Sequence, residues 1–448
     1  MREVRIKDTL SGETRALDAG AEVGIYACGP TVYSRIHIGN ARPFVVFSML
    51  ARFLRAEGYA AKLVVNVTDI NDKIYVAANE AGVPSAEFAA RMTRAYFEDT
   101  DRLGLGRPDV EPLASATVEG IVALIAGLVD SGHAYESGGD VYFRVASFEG
   151  YGKLSNRRPE DMDQGEDAGS ASLKESPLDF ALWKAHKEGE DTSWDSPWGT
   201  GRPAWHIECS VMAEAELGPS FAIHGGGTDL VFPHHENEIA QSEAAGRPFA
   251  RVWMHNGMIE TDAAKMSKSD GNIFQLCEAL DRYGREAVVL YLISGHYRQP
   301  LAFGAEQMDE SAARCERLRN FFREHPVKGE SGSSSASERL DRFKDALADD
   351  FNTPMALAEA FELVGEANRE EIPGASAVLL EMLGLVGLGS LAEAEDGADA
   401  EAEALLAERE EARAAKDFAR ADEIRDRLAE LGWEVRDSAD GARLVRKG

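Results

Sequence analysis

Two short segments far apart in the chain carry residue types suited to phosphate chemistry. His37-Ile38-Gly39-Asn40 sets an imidazole and an amide three positions apart, and both can donate hydrogen bonds. Lys265-Met266-Ser267-Lys268-Ser269-Asp270-Gly271-Asn272 is short, basic and hydroxyl-rich. Phosphoryl chemistry needs donors held at the reacting phosphate and positive charge on the departing pyrophosphate, because catalysis there is chiefly orientation and electrostatics. His37 and Asn40 are the donors and Lys268 the cation. The first segment alone serves equally well as a helix cap; only the pair is specific. A second constellation resembles a metal site: Cys28, Cys209, His234 and Glu238. His234 and Glu238 stand four apart, so a helix sets both on one face where they can converge on one ion. Two thiolates, an imidazole and a carboxylate suit zinc. Taken singly, Cys28 reads as a buried strand residue, Cys209 as helix core and Glu238 as solvated surface. His235 and Glu236 compete as ligands, and spacing does not exclude them.

These residues need elements to hold them. Residues 23–28 read as a strand, 41–57 as a helix and 61–67 as a second strand, a βαβ opening. The turn Gly29-Pro30-Thr31-Val32-Tyr33 and the helix entrance at His37 then lie at the carboxyl end of the first strand, where parallel sheets bind ligands and helix N-termini offer free N–H groups to phosphates. From about 105 to 200 the pattern changes to a helix, short strands and a polar loop over 157–176, an insertion. Alternation returns at 221–224 (strand), 236–245 (helix) and 252–255 (strand), and continues through 287–294. Beyond 305 the chain is almost wholly helical, with 329–335 read as a Gly/Ser-rich flexible loop. The start of 393–411 resembles a linker, 414–428 a small docking helix, and 433–437 with 442–446 a hairpin. The expected fold is α/β: a Rossmann-like parallel-sheet catalytic domain over 1–300 with the insertion, a helical bundle over 301–390, and a linker plus small α/β tail over 391–448.

The two phosphate segments look like the HIGH and KMSKS signatures of class I aminoacyl-tRNA synthetases. Here the first reads HIGN, so Asn40 keeps a donor but cannot become cationic, and Asp270 follows the second signature. Together with the metal constellation, the chain closely resembles the cysteinyl-tRNA synthetases, in which a zinc ion with this ligand set floors the amino-acid pocket. The likeness covers essentially the whole chain, through Thr68-Asp69-Ile70-Asn71-Asp72-Lys73, Gly201-Arg202-Pro203-Ala204-Trp205-His206, His224-Gly225-Gly226-Gly227-Thr228-Asp229-Leu230 and Phe232-Pro233-His234-His235-Glu236-Asn237-Glu238. It implies one Zn2+ per chain on Cys28, Cys209, His234 and Glu238. It also implies a cysteine pocket with Gly29, Thr68, Trp205, His224 and Asp229, the last meeting the ammonium group. His37, Asn40, Ser267, Lys268 and Ser269 would bind ATP, with His37, Asn40, Lys265 and Lys268 catalytic. The partners implied are tRNA(Cys), L-cysteine and Mg2+-bound ATP, and the family favours a monomer with the C-terminal hundred or so residues at the anticodon. Resemblance to the cysteine ligases of mycothiol synthesis, which act on an amino sugar, is the alternative enzyme reading. They lack the extended C-terminal region. A non-catalytic zinc and nucleotide-binding regulator would require the His37 and Lys268 segments to have lost function.

Bulk properties bound these readings. At 448 residues the chain suggests two or three domains, and its 44% hydrophobic content fits a globular enzyme. A net charge of −30 counts against nucleic acid on the simplest rule, but local Lys and Arg patches can still hold tRNA. The four cysteines, at 28, 209, 277 and 315, are too scattered for a disulfide framework. The N-terminal stretch lacks a signal-peptide pattern, and the longest nearly apolar run, 121–129, is far short of the roughly 20 residues needed to cross a bilayer. The expectation is a cytoplasmic protein without a membrane partner. Cysteine and serine differ by one atom, and packing separates such analogues by only about 10–200-fold. Zinc binds thiolate much better than a hydroxyl, so recognition without an editing domain is expected.

Overall fold

The computed structural model describes residues 1–17, 22–158, 162, 172–261, 264–265, 274–327, 332–393, 400–415, 417–438 and 441–446. A short antiparallel pair, β1 (Arg5–Lys7) and β2 (Thr14–Ala16), precedes β3 (Glu22–Ala27). Then come α1 (Ile38–Ala56), β4 (Ala60–Val65), and two helices absent from the sequence reading, α2 (Asp72–Ala81) and α3 (Ser85–Asp101). The insertion contains α4 (Val118–Asp130) and the antiparallel strands β5 (Ala134–Ser137), β6 (Asp140–Phe143), β7 (Phe180–Ala185) and β8 (Gly201–Pro203), hydrogen-bonded in that order. Most of its polar 157–176 loop lies outside the described residues.

After α5 (Trp205–Leu217) the chain returns to the main sheet with β9 (Ser220–Gly227), α6 (Glu236–Ala244) and β10 (Phe249–Asn256). The sheet order is β10-β9-β3-β4, every pair parallel. The expected βαβ opening is therefore present, and β3 lies inside the sheet with both faces covered. Its side chains alternate between two cores. Val23, Ile25 and Ala27 pack with α1, while Tyr26 and the following Cys28 face the side shared with Cys209, Phe180 and Trp253. Period-two alternation thus aims Cys28 toward α5 and the insertion rather than toward α1.

The strands β11 (Ile259–Thr261) and β12 (Ala264–Lys265) lead into α7 (Leu276–Tyr283) and α8 (Arg285–Leu292), and β13 (Leu301–Phe303) pairs with β11. The bundle is α9 (Ala305–Glu324), α10 (Ser334–Ala348), α11 (Thr353–Ala367) and α12 (Ala375–Leu385). Leu290, Leu347 and Leu379 share one apolar core with Phe47 and Leu50 of α1, so the bundle packs on the catalytic sheet's helical layer. One loop expectation is corrected in part. Of the 329–335 stretch, Ser334 and Ser335 already belong to α10, because the Ser333 hydroxyl caps it by accepting from the Ala336 N–H. The linker expected at the start of 393–411 falls, over 394–399, outside the described residues; α13 (Ala400–Ala414) follows it and packs on α14 (Phe418–Glu430). The expected hairpin forms, β14 (Trp433–Ser438) against β15 (Gly441–Arg446), and Trp433, Ile424, Leu428 and Ala402 make a small core of their own. Among the described residues no helix is long and apolar enough to cross a membrane.

Candidate active site

The site forms where β3 ends. The Cys28 N–H donates to the Gly225 carbonyl on β9 at 2.9 Å, and the Gly29 N–H to Asn66 Oδ1 at 2.9 Å. A Cβ at Gly29 would stand 1.7 Å from the Asn66 carbonyl oxygen, so only glycine lets the chain turn this close to the end of β4. Nine positions after Gly29, α1 starts at Ile38. Its N-cap is His37, whose Nδ1 accepts from the Asn40 N–H at 3.3 Å, while Asn40 Oδ1 accepts from the His37 N–H at 3.3 Å. The segment therefore caps α1. An acceptor Nδ1 puts the neutral ring's proton on Nε2, and an engaged Oδ1 leaves the Asn40 amide NH2 as donor.

His37 and Asn40 line a cavity of about 260 Å³ with Cys28, Gly29, Trp205, Asp229 and Lys73. The Lys73 ammonium stands 5.2 Å from the centroid of the Tyr33 ring, also in the lining. Thr68 and His224 stand behind this wall. The Thr68 hydroxyl donates to Glu208 Oε2 at 3.1 Å, and both Thr68 and His224 are buried. Lys265 is the last residue of β12, and its backbone pairs with Glu260. Ser267, Lys268, Ser269 and Asp270 lie outside the described residues.

Beneath the cavity three of the four expected metal ligands come together, with Cys209 beside Cys28. Cys28 Sγ lies 3.8 Å from Cys209 Sγ and 3.8 Å from Glu238 Oε1. His234 Nε2 lies 3.1 Å from Glu238 Oε1. The donor atoms of Cys28, His234, His235 and Glu238 all fall within 4.8 Å of one another. Of the two competitors, Glu236 is excluded, because its carboxylate accepts from the Gly152 and Ser155 N–H groups at 2.9 and 2.8 Å. His235 is not excluded: its Nε2 is 3.3 Å from Cys28 Sγ. The group within 4.8 Å keeps Cys28, His234 and Glu238 of the four expected ligands and adds His235; Cys209, 3.8 Å from Cys28, is not part of it.

Around them is a layer of imidazoles that the sequence did not reveal. His206 Nδ1 meets His234 Nδ1 at 2.9 Å, His255 Nε2 meets His235 Nδ1 at 2.8 Å, and Thr9 Oγ1 meets His255 Nδ1 at 2.7 Å. Trp205 stacks on the His234 ring, centroids 4.3 Å apart. Such contacts fix ring orientation and tautomer in ligating histidines. The site's electrostatics follow from burial. Burial, with Cys209 beside it, pushes the Cys28 thiol up; burial likewise raises the Glu238 carboxyl. It drives His234 and His235 well down and His224 to about 3. Each group on its own is held neutral. Glu238, 0% exposed, has an Oε2 without a hydrogen bond although His224 Nε2 is 3.0 Å away. A buried carboxylate and thiolates are stabilised by a cation placed among them, which inverts that preference. The chemistry of the donor set and the orphaned carboxylate oxygen fit a soft divalent ion.

Comparison with known proteins bears on the whole chain. Residues 15–313 match the family model of the tRNA synthetases class I (C) catalytic domain, 342–391 the DALR domain, and 395–444 the cysteinyl-tRNA ligase anticodon binding domain. A cysteine–tRNA ligase of Pseudomonas paraeruginosa is 48% identical over 438 residues, covering 94% of each chain. One of Chromohalobacter salexigens is 47% identical over 454 residues, covering 96% of each. Among solved structures, Mycobacterium tuberculosis methionyl-tRNA synthetase in complex with methionyl-adenylate superposes with a TM-score of 0.63 at 16% identity, covering 84% of this chain and 92% of that one. That likeness supports the fold. With a catalytic-domain match over most of the chain and near-full-length relatives at this identity, the chain belongs to the cysteine–tRNA ligase family of class I aminoacyl-tRNA synthetases.

Proposed function

We propose that the chain joins L-cysteine to the 3′ end of tRNA(Cys) at the expense of ATP, and that it tells cysteine from serine through a zinc ion on Cys28, Cys209, His234 and Glu238. The observation that carries this is the shared wall: Cys28 lines the cavity that His37 and Asn40 border, with donor atoms of His234 and Glu238 within 4.8 Å of its sulfur and that of Cys209 at 3.8 Å. Two thiolates about 2.3 Å from one tetrahedral ion are separated by about 3.8 Å, which is the Cys28–Cys209 spacing. Bound there, zinc would supply a soft Lewis acid for the substrate thiolate.

The remaining steps fall to the chain's own residues. Asp229 receives the ammonium group of cysteine, and Trp205 closes the pocket over His234. The cysteine carboxylate attacks the α-phosphate of Mg2+-bound ATP; the new C–O–P link forms as the bond to the β-phosphate breaks. His37 through Nε2 and Asn40 through its amide NH2 donate to the phosphate oxygens, and Ser267, Lys268 and Ser269, with Lys265 beside them, hold the departing pyrophosphate. A terminal ribose hydroxyl of the tRNA then attacks the carbonyl and AMP leaves. Gly29 keeps the backbone clear of the substrate, and Thr68 and His224 steady the wall from behind. Residues 1–300 are the catalytic domain, 301–390 a tRNA-binding bundle and 391–448 the anticodon-reading tail. The chain works as a cytoplasmic monomer. The matched anticodon-binding segment favours a tRNA acceptor over the amino sugar of a mycothiol ligase and over a non-catalytic regulator.

The test is charging of tRNA(Cys) by the purified chain with Mg2+ and ATP, with serine as control and cysteine-dependent ATP–pyrophosphate exchange in parallel. Cysteine-selective charging is expected. Exchange without charging would move the acceptor elsewhere, and absence of both would remove the enzymatic reading.

A further inference from the structure

We infer that Arg314, Arg317 and Phe361 form a docking point for the sugar-phosphate backbone of the tRNA, on the face where α9 meets α11. This rests on the reading of the chain as a tRNA ligase and adds a contact that neither motif nor family match assigns. The starting point is charge. In a chain of net charge −30, arginines generally find a carboxylate; on α9 itself Arg319 pairs with Glu286 and Arg323 with Glu316. Arg314 and Arg317 have no ion pair among the described residues. Three positions apart on one helix, they project from the same face.

What holds them is an aromatic ring. The Arg314 and Arg317 guanidinium groups lie 4.8 and 5.6 Å from the centroid of Phe361 on α11. The Arg317 fork extends along α11 to within 3.9 Å of where a Cβ at Gly365 would stand. Between the helices is a depression of about 360 Å³ lined by both arginines, Pro354, Ala358, Phe361 and Glu362. The Glu362 carboxylate stands 3.8 Å from Arg339, whose closer partners are Glu359 and Glu366. A ring orders a guanidinium without using its N–H forks. Those forks match phosphate oxygens two at a time, and pre-ordering reduces the entropy lost on binding. An acidic surface repels a polyanion except where unneutralised cations gather, so this pair marks a place where a phosphate chain can approach the bundle.

The experiment uses the full chain with Arg314→Ala and Arg317→Ala together. KM for tRNA(Cys) in charging is followed against salt, alongside cysteine-dependent ATP–pyrophosphate exchange, which needs no tRNA. The expected result is a tRNA KM raised about ten-fold at low salt, a log–log salt dependence flattened by about two, one per lost phosphate contact, and unchanged exchange. The double Arg→Lys variant should retain most of the salt dependence. Unchanged KM and salt slope would overturn the contact. Parallel loss of exchange and charging in both double variants would assign the arginines to packing and overturn it as well. A parent chain that exchanges but charges no tRNA(Cys) would instead undo the reading beneath it, a failure visible before any substitution is made.

Discussion

The metal hypothesis makes its sharpest demand on Cys209. Cys209 is 1% exposed with its sulfur 3.8 Å from that of Cys28, so Cys209→Ser changes one donor atom and almost nothing else in the packing. Serine's hydroxyl stays protonated and is a poor ligand for a soft ion. Loss of an outer contact around a metal already costs about 10–100-fold in affinity, so loss of a thiolate should cost at least about 100-fold. Selectivity for cysteine should fall with it. A discrimination of about 10⁴ corresponds to about 5.6 kcal/mol, and packing alone reaches at most about 200-fold, or about 3.2 kcal/mol. The variant should therefore lose at least about 2.4 kcal/mol of discrimination. Zinc content after chelator competition, with kcat/KM for cysteine and serine in pyrophosphate exchange, measures both quantities. Retention of one zinc per chain with the parent's preference for cysteine would refute the assignment. His235→Asn run in parallel then decides between Cys209 and His235. If that variant loses the metal while Cys209→Ser keeps it, the ligands are Cys28, His234, His235 and Glu238.

Three further outcomes are expected. Gly225→Ala would put a Cβ 2.2 Å from the Phe47 ring and 2.4 Å from the Met254 carbonyl; urea denaturation should show a loss of about 3 kcal/mol, and a loss below 1 would contradict the packing of β9. Asp72 is disfavoured as an anion by burial, but Arg202 and Lys184 outweigh this and hold its carboxyl below the usual value. Its contribution is therefore present above pH about 4 and fades as pH falls through the lowered folded value; the stability gap between Asp72→Asn and parent should be full at pH 7 and close in acid, and a gap independent of pH would exclude the ion pairs as its source. Truncation after Ser390 should weaken tRNA charging far more than pyrophosphate exchange, whereas equal losses would indicate a folding defect.

The strand and helix positions of the catalytic core were readable because they rest on local pattern. Residues 23–28 alternate and are bounded by a glycine turn, and the structure has Glu22–Ala27; the hairpin at 433–446 followed from two short apolar-alternating runs around a turn. The helices α2 and α3 bury one face at helical spacing, Ile74, Tyr75 and Ala78 in α2 and Phe88, Ala89, Thr93, Tyr96 and Thr100 in α3, but that face mixes apolar with small and hydroxyl residues, which weakens the apolar period in the sequence. Their stability comes from packing, which composition does not display.

By itself the sequence indicated the family, the βαβ entry to the site and Cys28, His234 and Glu238 of its metal-like floor, since these depend on residue type, short spacing and motif. Only the tertiary structure decided that His235 joins that floor while Glu236 turns to the Gly152 and Ser155 backbone. It alone paired His206 with His234, and Thr9 with His255. It also brought Arg314 and Arg317 over Phe361. Neighbours on one helix share the same sequence spacing whichever way their side chains turn, and contacts across 28 or 246 positions exist only once the packed sheet and helices have brought the partners together.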